Sequence, residues 1–106
     1  MWIPVISAAS LPPGDYAQTE LDGVIVAVFN IDGKYYAVED ICTHDGGGLA
    51  GGKIEGYCVV CPRHGAKFSL QTGEALTPPA YEPVRTYRTR VHDGMIEVTD
   101  EAATDS

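Results

Sequence analysis

The chain has 106 residues, and 7 Lys and Arg stand against 15 Asp and Glu, so its formal net charge at pH 7 is −8. A chain of this length predicts one domain over residues 1–106, with no room for a catalytic domain beside it. The negative charge argues against nucleic acid or an anionic membrane as partner and favours docking to basic protein surfaces.

The first half of the chain predicts short strands separated by turn residues and almost no helix. Strands are expected at residues 2–6, 16–21, 24–29 and 34–39, with turns at 11–15, 22–23 and 30–33. The run at 24–29 is continuously apolar and rich in β-branched side chains, so it should be buried on both faces.

The second half continues the same pattern. Strands are expected at residues 57–60 and 66–70, followed by a turn at 71–73, a Pro-rich connection at 77–83 and a hairpin of 84–92 with 95–98 around Asp93-Gly94. Such frequent short strands predict an all-β fold, either a sandwich or a small barrel. Residues 100–106 lack apolar content and should form a frayed acidic tail.

The chain shows no segment typical of membrane insertion or export. No stretch reaches the roughly 18 apolar residues of a membrane span. The opening residues lack the basic region and the long apolar region of a secretory signal. We therefore expect a cytoplasmic protein.

Two pairs of metal-binding side chains decide the chemistry. The first pair is Cys42-x-His44 and the second is Cys61-x-x-His64, with residues 45–60 between them. Thiolates hold iron and inorganic sulfide, and neutral imidazoles suit iron or zinc. The four side chains therefore predict either a mixed-ligand [2Fe-2S] cluster or one tetrahedral zinc ion.

The segments Cys42 to His44 and Cys61 to Gly65 resemble the two ligand boxes of Rieske iron-sulfur proteins, and the resemblance extends over the whole chain. It favours one Rieske-type [2Fe-2S] cluster over zinc. It implies that Cys42 and Cys61 bind one iron and that His44 and His64 bind the other. It also implies an antiparallel β-sandwich in which the two ligand loops form a small cluster-binding lobe.

Further residues around the ligands are expected to support the cluster. They are Gly46, Gly47, Gly48, Arg63, Gly65, Ala66 and Pro78. The three successive glycines would let backbone N–H groups approach the sulfides, although they could also be only a flexible turn. Arg63 is either a docking contact or an ordinary surface charge, and Pro78 with Pro79 either covers the cluster or forms a rigid connector.

Three positions set this chain apart from the respiratory-chain branch of the same family. Gly47 and Arg63 stand where that branch has two cysteines joined in a disulfide, and Ala66 stands where it has a serine that donates to a sulfide. The features that raise the reduction potential are therefore missing. We expect a potential near the low end of the family range.

Two other potential ligands, Cys58 and His92, are not expected to bind the metal. Cys58 forms a Cys-x-x-Cys sequence with Cys61, but Val59 and Val60 between them are strand formers, so Cys58 is expected to be a buried strand thiol. His92 precedes the Asp93-Gly94 turn and should face solvent.

The resemblance implies a Rieske-type ferredoxin without substrate chemistry of its own. Such a protein takes one electron at a time from a flavin-dependent reductase and passes it to a terminal oxygenase. Alternatives within this class are the small subunit of an NADH-dependent nitrite reductase and a carrier that serves cluster assembly. The alternative from another class is a structural zinc domain that acts as an interaction module.

Overall fold

The computed structural model describes residues 1–41, 47–62, 65–77 and 82–100. Within these ranges the strands are β1 (Ile3–Ser7), β2 (Tyr16–Leu21), β3 (Val24–Ile31), β4 (Lys34–Glu39), β5 (Ile54–Glu55), β6 (Cys58–Val60), β7 (Lys67–Ser69), β8 (Thr86–His92) and β9 (Met95–Thr99). The all-β prediction is confirmed. A short 3-10 helix at Ala8–Ser10 and the two-residue strand β5 were not expected, and the other strand ends differ from expectation by at most two residues.

Asp-Gly pairs form the turns of three hairpins, β2 with β3, β3 with β4 and β8 with β9. Both residues of each pair have positive φ, with values of 53° and 81° at 22–23, 53° and 87° at 32–33, and 52° and 77° at 93–94. Turns with positive φ at both central residues match the right-handed twist of paired strands, and Asp followed by Gly adopts this conformation readily. The three expected turns are therefore confirmed.

Six strands form an antiparallel sheet in the order β1-β9-β8-β4-β3-β2. The sheet curls, and its two edge strands β1 and β2 approach each other. Its inner face holds one hydrophobic core, which includes Leu21, Val26, Val28, Ile96 and Val98. The curl thus lets a single sheet enclose its own apolar face.

Three further strands, in the order β5-β6-β7, form a small second sheet that packs on the outer face of β3 and β4. The core between the sheets contains Ala27, Phe29, Val38, Val59 and Phe68. Strand β3 therefore contributes side chains to both cores.

Burial along β3 matches the expectation in part. Val26, Ala27, Val28 and Phe29 are at most 2% exposed, so burial on both faces is confirmed for them. It is wrong for Ile25, which is 47% exposed. Ile25 lies beside the 22–23 turn, and it belongs to neither core.

Two further expectations concern membrane insertion and the chain end. No helix within the described ranges has the length and apolar character needed to cross a membrane. The expected acidic tail lies outside the described residues from residue 101 onward.

Candidate metal centre

The second ligand loop begins where β6 ends, at Cys61. Its side chain is 1% exposed. The backbone N–H of Cys61 donates to the carbonyl oxygen of Ala66 at 2.7 Å, and the N–H of Gly65 donates to the carbonyl oxygen of Cys61 at 3.0 Å. Gly65 has a φ of +77°, a left-handed conformation that disfavours other residues. These hydrogen bonds join Cys61 directly to Gly65 and Ala66, at the other end of the second ligand loop.

The first ligand loop lies largely outside the described residues, since Cys42, His44 and Gly46 fall within the range 42–46. The chain on both sides of this range is anchored. Ile41 packs against the core between the two sheets, and Leu49 is fully buried within it. The two ends of the loop are therefore fixed to the same core.

Asp40, which precedes this loop, holds the chain that follows it. One carboxylate oxygen accepts hydrogen bonds from the backbone N–H groups of Leu49 at 2.5 Å and Ala50 at 2.8 Å. The other accepts from the side-chain amide of Gln18 on β2. Sequence reasoning missed Asp40, because only its position just before Cys42 distinguishes it from other surface carboxylates.

The chain segments that flank the two loops are in contact through their backbones. A Cβ atom on Gly52 would lie 2.1 Å from the carbonyl oxygen of Val60, so only glycine fits there. The N–H of Val60 donates to the carbonyl oxygen of Lys53 at 2.9 Å. The chain that leaves the first loop therefore runs against the strand that leads into Cys61.

The surroundings of Cys61 fit an iron-sulfur cluster. The thiol belongs to an apolar group that includes Leu49, Val59, Ala66 and Phe68. An apolar shell limits the access of solvent to a metal site and thereby influences its potential. Two thiolates and two imidazoles from two loops form the donor set of a Rieske centre.

Several residues expected around the cluster cannot be placed. Gly46, Arg63 and Pro78 lie outside the described residues, so the roles expected for them stay predictions. Gly47, Gly48, Gly65 and Ala66 lie in the described parts of the two loops. At Gly48, a Cβ would lie 3.3 Å from the carboxylate of Asp40. Close packing against Asp40 is therefore a second reason for a glycine at this position, besides the expected approach of its backbone to the sulfides.

Cys58 lies in β6 as expected, opposite Glu55 on one side and Ser69 on the other. The expectation of a buried thiol is wrong, because the side chain of Cys58 is only half-buried. Side chains alternate along a strand, and Val59, the next residue, belongs to the core together with Cys61. Cys58 therefore faces away from Cys61, because it lies on the face of the strand opposite to Val59.

His92 ends β8 and is exposed, which confirms the expectation for it. Its Nε2 atom lies 3.4 Å from a carboxylate oxygen of the neighbouring Asp93, and both side chains are mostly exposed.

An ion pair lies on the small sheet beside the second loop. The ammonium group of Lys67 is 2.7 Å from a carboxylate oxygen of Glu55, and that of Lys53 is 3.7 Å from the other oxygen. The hydrogen bond to Lys67 lowers the pKa of Glu55, and the same contact raises the pKa of Lys67. The positive charge of Lys67, next to Ala66, is therefore paired with Glu55 within the sheet.

Comparison with known proteins identifies the family. The model of the Rieske [2Fe-2S] domain matches residues 1–88. The biphenyl dioxygenase ferredoxin subunit of Pseudomonas sp. (strain KKS102) is 40% identical over 86 residues, which cover 80% of this chain and 79% of that protein.

Solved structures show the same similarity. A chain from the complex of reduced oxygenase and oxidised ferredoxin in carbazole 1,9a-dioxygenase superposes with a TM-score of 0.88 at 30% identity, covering 98% of this chain and 97% of that one. A candidate small subunit of an NADH-dependent nitrite reductase from Mycobacterium tuberculosis superposes with a TM-score of 0.85 at 28% identity, covering 97% of each chain. The expected antiparallel Rieske fold and its single [2Fe-2S] cluster are thereby confirmed, and the chain belongs to the Rieske [2Fe-2S] domain family.

Proposed function

We propose that this chain is a one-electron carrier of the ferredoxin type, formed as one domain over residues 1–106. It takes electrons from a flavin-dependent reductase and passes them to a terminal oxygenase. Cys42 and Cys61 hold one iron of its cluster, and His44 and His64 hold the other. Cytoplasmic location is part of the proposal and is tested by fractionation of cells that produce the protein.

The observation that carries the proposal is the position of Cys61. It is the one proposed ligand within the described ranges, and its side chain is buried where backbone hydrogen bonds join Cys61 to Gly65 and Ala66. A buried structural cysteine is common, but this one is joined through Gly52 and Val60 to the chain leaving the other ligand loop. The geometry supports a site assembled from both loops.

The role of the residues follows from this arrangement. When bound, the cluster supplies an Fe(III)/Fe(II) couple that takes up and releases one electron. The thiol-bearing turn and its apolar neighbours Leu49, Val59 and Phe68 exclude water from one side of the site. The described residues hold no further group of three or more potential metal ligands.

The oxygenase as acceptor is supported by two similarities. The relative from Pseudomonas sp. is named as a ferredoxin subunit of a dioxygenase, and the carbazole 1,9a-dioxygenase structure is a complex of oxygenase and ferredoxin. The names of these two proteins contain different compounds, biphenyl and carbazole, so they assign no organic substrate to the system of this chain. The net charge of −8 supports electrostatic docking to a basic partner surface.

Metal content and electron transfer test the proposal together. Protein purified without oxygen should be red-brown, with two irons and two acid-labile sulfides per chain, as a [2Fe-2S] cluster requires. Its reduced state should give an electron paramagnetic resonance signal with an average g below the free-electron value. A colourless protein with one zinc per chain would instead establish the structural zinc domain.

A second candidate function is supported by the similarity to the M. tuberculosis chain. The chain would then be the small subunit of an NADH-dependent nitrite reductase. Reduced protein, mixed separately with a dioxygenase and with the large subunit of a nitrite reductase, distinguishes the two. Oxidation of the cluster during turnover by only one of them identifies the acceptor class, and oxidation by neither favours the carrier in cluster assembly.

A further inference from the structure

We infer that Asp40 is a positioning residue that holds the two ligand loops in the arrangement that retains the cluster. The inference rests on the proposed cluster site, and it concerns a residue that binds no iron in that proposal. Asp40 lies between β4 and Cys42, at the point where the first loop leaves the six-stranded sheet.

Asp40 is itself fixed from the side of the sheet. Its backbone N–H donates to the carbonyl oxygen of Ile25 on β3 at 2.8 Å. The amide group of Gln18, on β2, donates to one of its carboxylate oxygens. Two neighbouring strands therefore determine where the carboxylate lies.

The other carboxylate oxygen binds the far end of the first loop. It accepts from the N–H groups of Leu49 and Ala50, and a hydrogen bond to an ionised acceptor is about twice as strong as a neutral one. Gly48 lies against the same carboxylate, where a Cβ would be 3.3 Å from the oxygen. One side chain thus joins the beginning of the loop to its end across residues 41–48.

The chain held by Asp40 also supports the second loop. The N–H of Gly52 donates to the carbonyl oxygen of Leu49 at 3.0 Å, and Gly52 lies directly against Val60. Val60 is followed by Cys61, and the side chain of Leu49 lies in the same core as that of Cys61. A displacement at residues 49–52 is therefore transmitted to both loops.

The loss of Asp40 should act on cluster retention more than on the fold. The contacts of its carboxylate serve the loop, whereas the six-stranded sheet has its own ladder of backbone hydrogen bonds and its own core. A residue with only a general structural role would weaken both together. The local exchange of backbone amides separates these two cases.

The test compares Asp40→Ala, Asp40→Asn and the control Glu39→Ala in the cluster-loaded protein. Glu39 is the neighbouring carboxylate, and no side-chain hydrogen bond or ion pair joins it to another described residue. Two readouts are followed: the rate at which the visible absorbance bleaches in the presence of an iron chelator, and hydrogen-deuterium exchange of peptides from residues 47–52 and from β3.

Asp40→Ala should bleach about tenfold faster or more, since the three hydrogen bonds that the carboxylate accepts from Gln18, Leu49 and Ala50 are lost. Exchange at 47–52 should accelerate by a similar factor, with β3 unchanged. Asp40→Asn should stay within about threefold of the unaltered protein, because its amide oxygen still accepts from both N–H groups and the Gln18 amide can rotate to accept. Glu39→Ala should match the unaltered protein.

The inference is overturned if Asp40→Ala keeps its cluster as long as Glu39→Ala does. Equal acceleration of exchange in β3 and in residues 47–52 would also overturn it, because the effect would then be general. If the proposed function is wrong instead, the unaltered protein itself will contain no iron and no acid-labile sulfide. In that case, unchanged exchange at 47–52 in Asp40→Ala would still overturn the inference, and accelerated local exchange would support the loop-holding role.

Discussion

Gly52 lies so close to Val60 that a Cβ on the glycine would stand 2.1 Å from the valine carbonyl oxygen. This contact brings the chain that leaves the first ligand loop against the strand that enters the second. The position of one loop is therefore coupled to that of the other through backbone atoms. Rotation of a side chain cannot relieve a clash at this contact.

Gly52→Ala should consequently disturb both loops. Forcing a methyl group into packed backbone costs about 1–3 kcal/mol, and we expect loss of most of the cluster together with a lower midpoint of urea unfolding. Gly56→Ala, in the turn between β5 and β6, is the control, since its Cβ meets nothing within 4 Å although its φ is +61°. The control should lose about 1–2 kcal/mol from the left-handed backbone alone and keep its cluster. Equal cluster contents in the two variants would contradict the coupling.

The proposed ligands can be separated from the other cysteine and histidine by substitution. Iron and sulfide content should fall to background in four variants and stay normal in two. The first group is Cys42→Ser, Cys61→Ser, His44→Ala and His64→Ala, and the second is Cys58→Ser and His92→Ala. Cys58 faces away from Cys61, and His92 lies at an exposed turn, so neither should contribute a ligand. Bleaching in Cys58→Ser with a normal cluster in Cys42→Ser would require another ligand set.

Ala66 provides a test of the expected low potential. Its side chain is fully buried, and its carbonyl oxygen accepts from the N–H of Cys61 at 2.7 Å. The midpoint should lie near the low end of the range of ~ −150 to +300 mV for Rieske centres. Ala66→Ser would place a hydroxyl donor beside the site, which stabilises the reduced form and should shift the midpoint upward in protein-film voltammetry. A midpoint of the unaltered protein near the positive end would contradict the proposed direction of electron flow.

Tyr87 carries a hydroxyl that is buried without a hydrogen-bond partner among the described residues. Burial raises its pKa, while the Arg85 guanidinium, 5.0 Å from the ring centre, acts in the opposite direction. Because the folded pKa lies above the unfolded value, ionisation of the hydroxyl opposes folding. Stability is therefore retained below the unfolded pKa and falls as the pH rises through the folded pKa.

Tyr87→Phe should therefore leave the stability at pH 7 unchanged or raise it by about 1 kcal/mol, since an unsatisfied polar group is removed. It should also flatten the fall in stability at alkaline pH. Urea unfolding at pH 7 and pH 11 measures both effects. Tyr16→Phe is the control, because the Tyr16 side chain is 40% exposed and its substitution removes no buried hydroxyl. A loss of stability at pH 7 comparable to that of a broken hydrogen bond would show that the hydroxyl has a partner.

Electrostatic docking predicts a dependence on ionic strength. The net charge is −8, and the two lysines of the small sheet share the carboxylate of Glu55. The second-order rate of reduction by the cognate reductase should fall as salt is raised from ~0.01 M to ~0.15 M, where the screening length shortens from about 30 Å to about 8 Å. Stopped-flow measurement of cluster absorbance gives this rate. A rate that is independent of salt would exclude steering by the net charge.

The sequence by itself determined those features that depend on neighbouring residues. The Asp-Gly pairs at 22–23, 32–33 and 93–94 form tight turns because both residues tolerate positive φ. Next to these turns, β2 and β4 have the predicted bounds, since alternating and apolar runs are read directly from the chain. The spacing of Cys42, His44, Cys61 and His64 was likewise sufficient to indicate the family, because donor type and order belong to the sequence.

Tertiary structure alone decided the contacts between distant segments. Strand β5 has only two residues, and it exists because β6 supplies its hydrogen bonds. The half-burial of Cys58 follows from which face of β6 meets the other sheet. The contacts of Asp40 with Leu49 and Ala50, and of Gly52 with Val60, depend on the packing of one loop against another chain segment. Local propensity carries no information about such contacts, because their free energy arises only when both segments are in place.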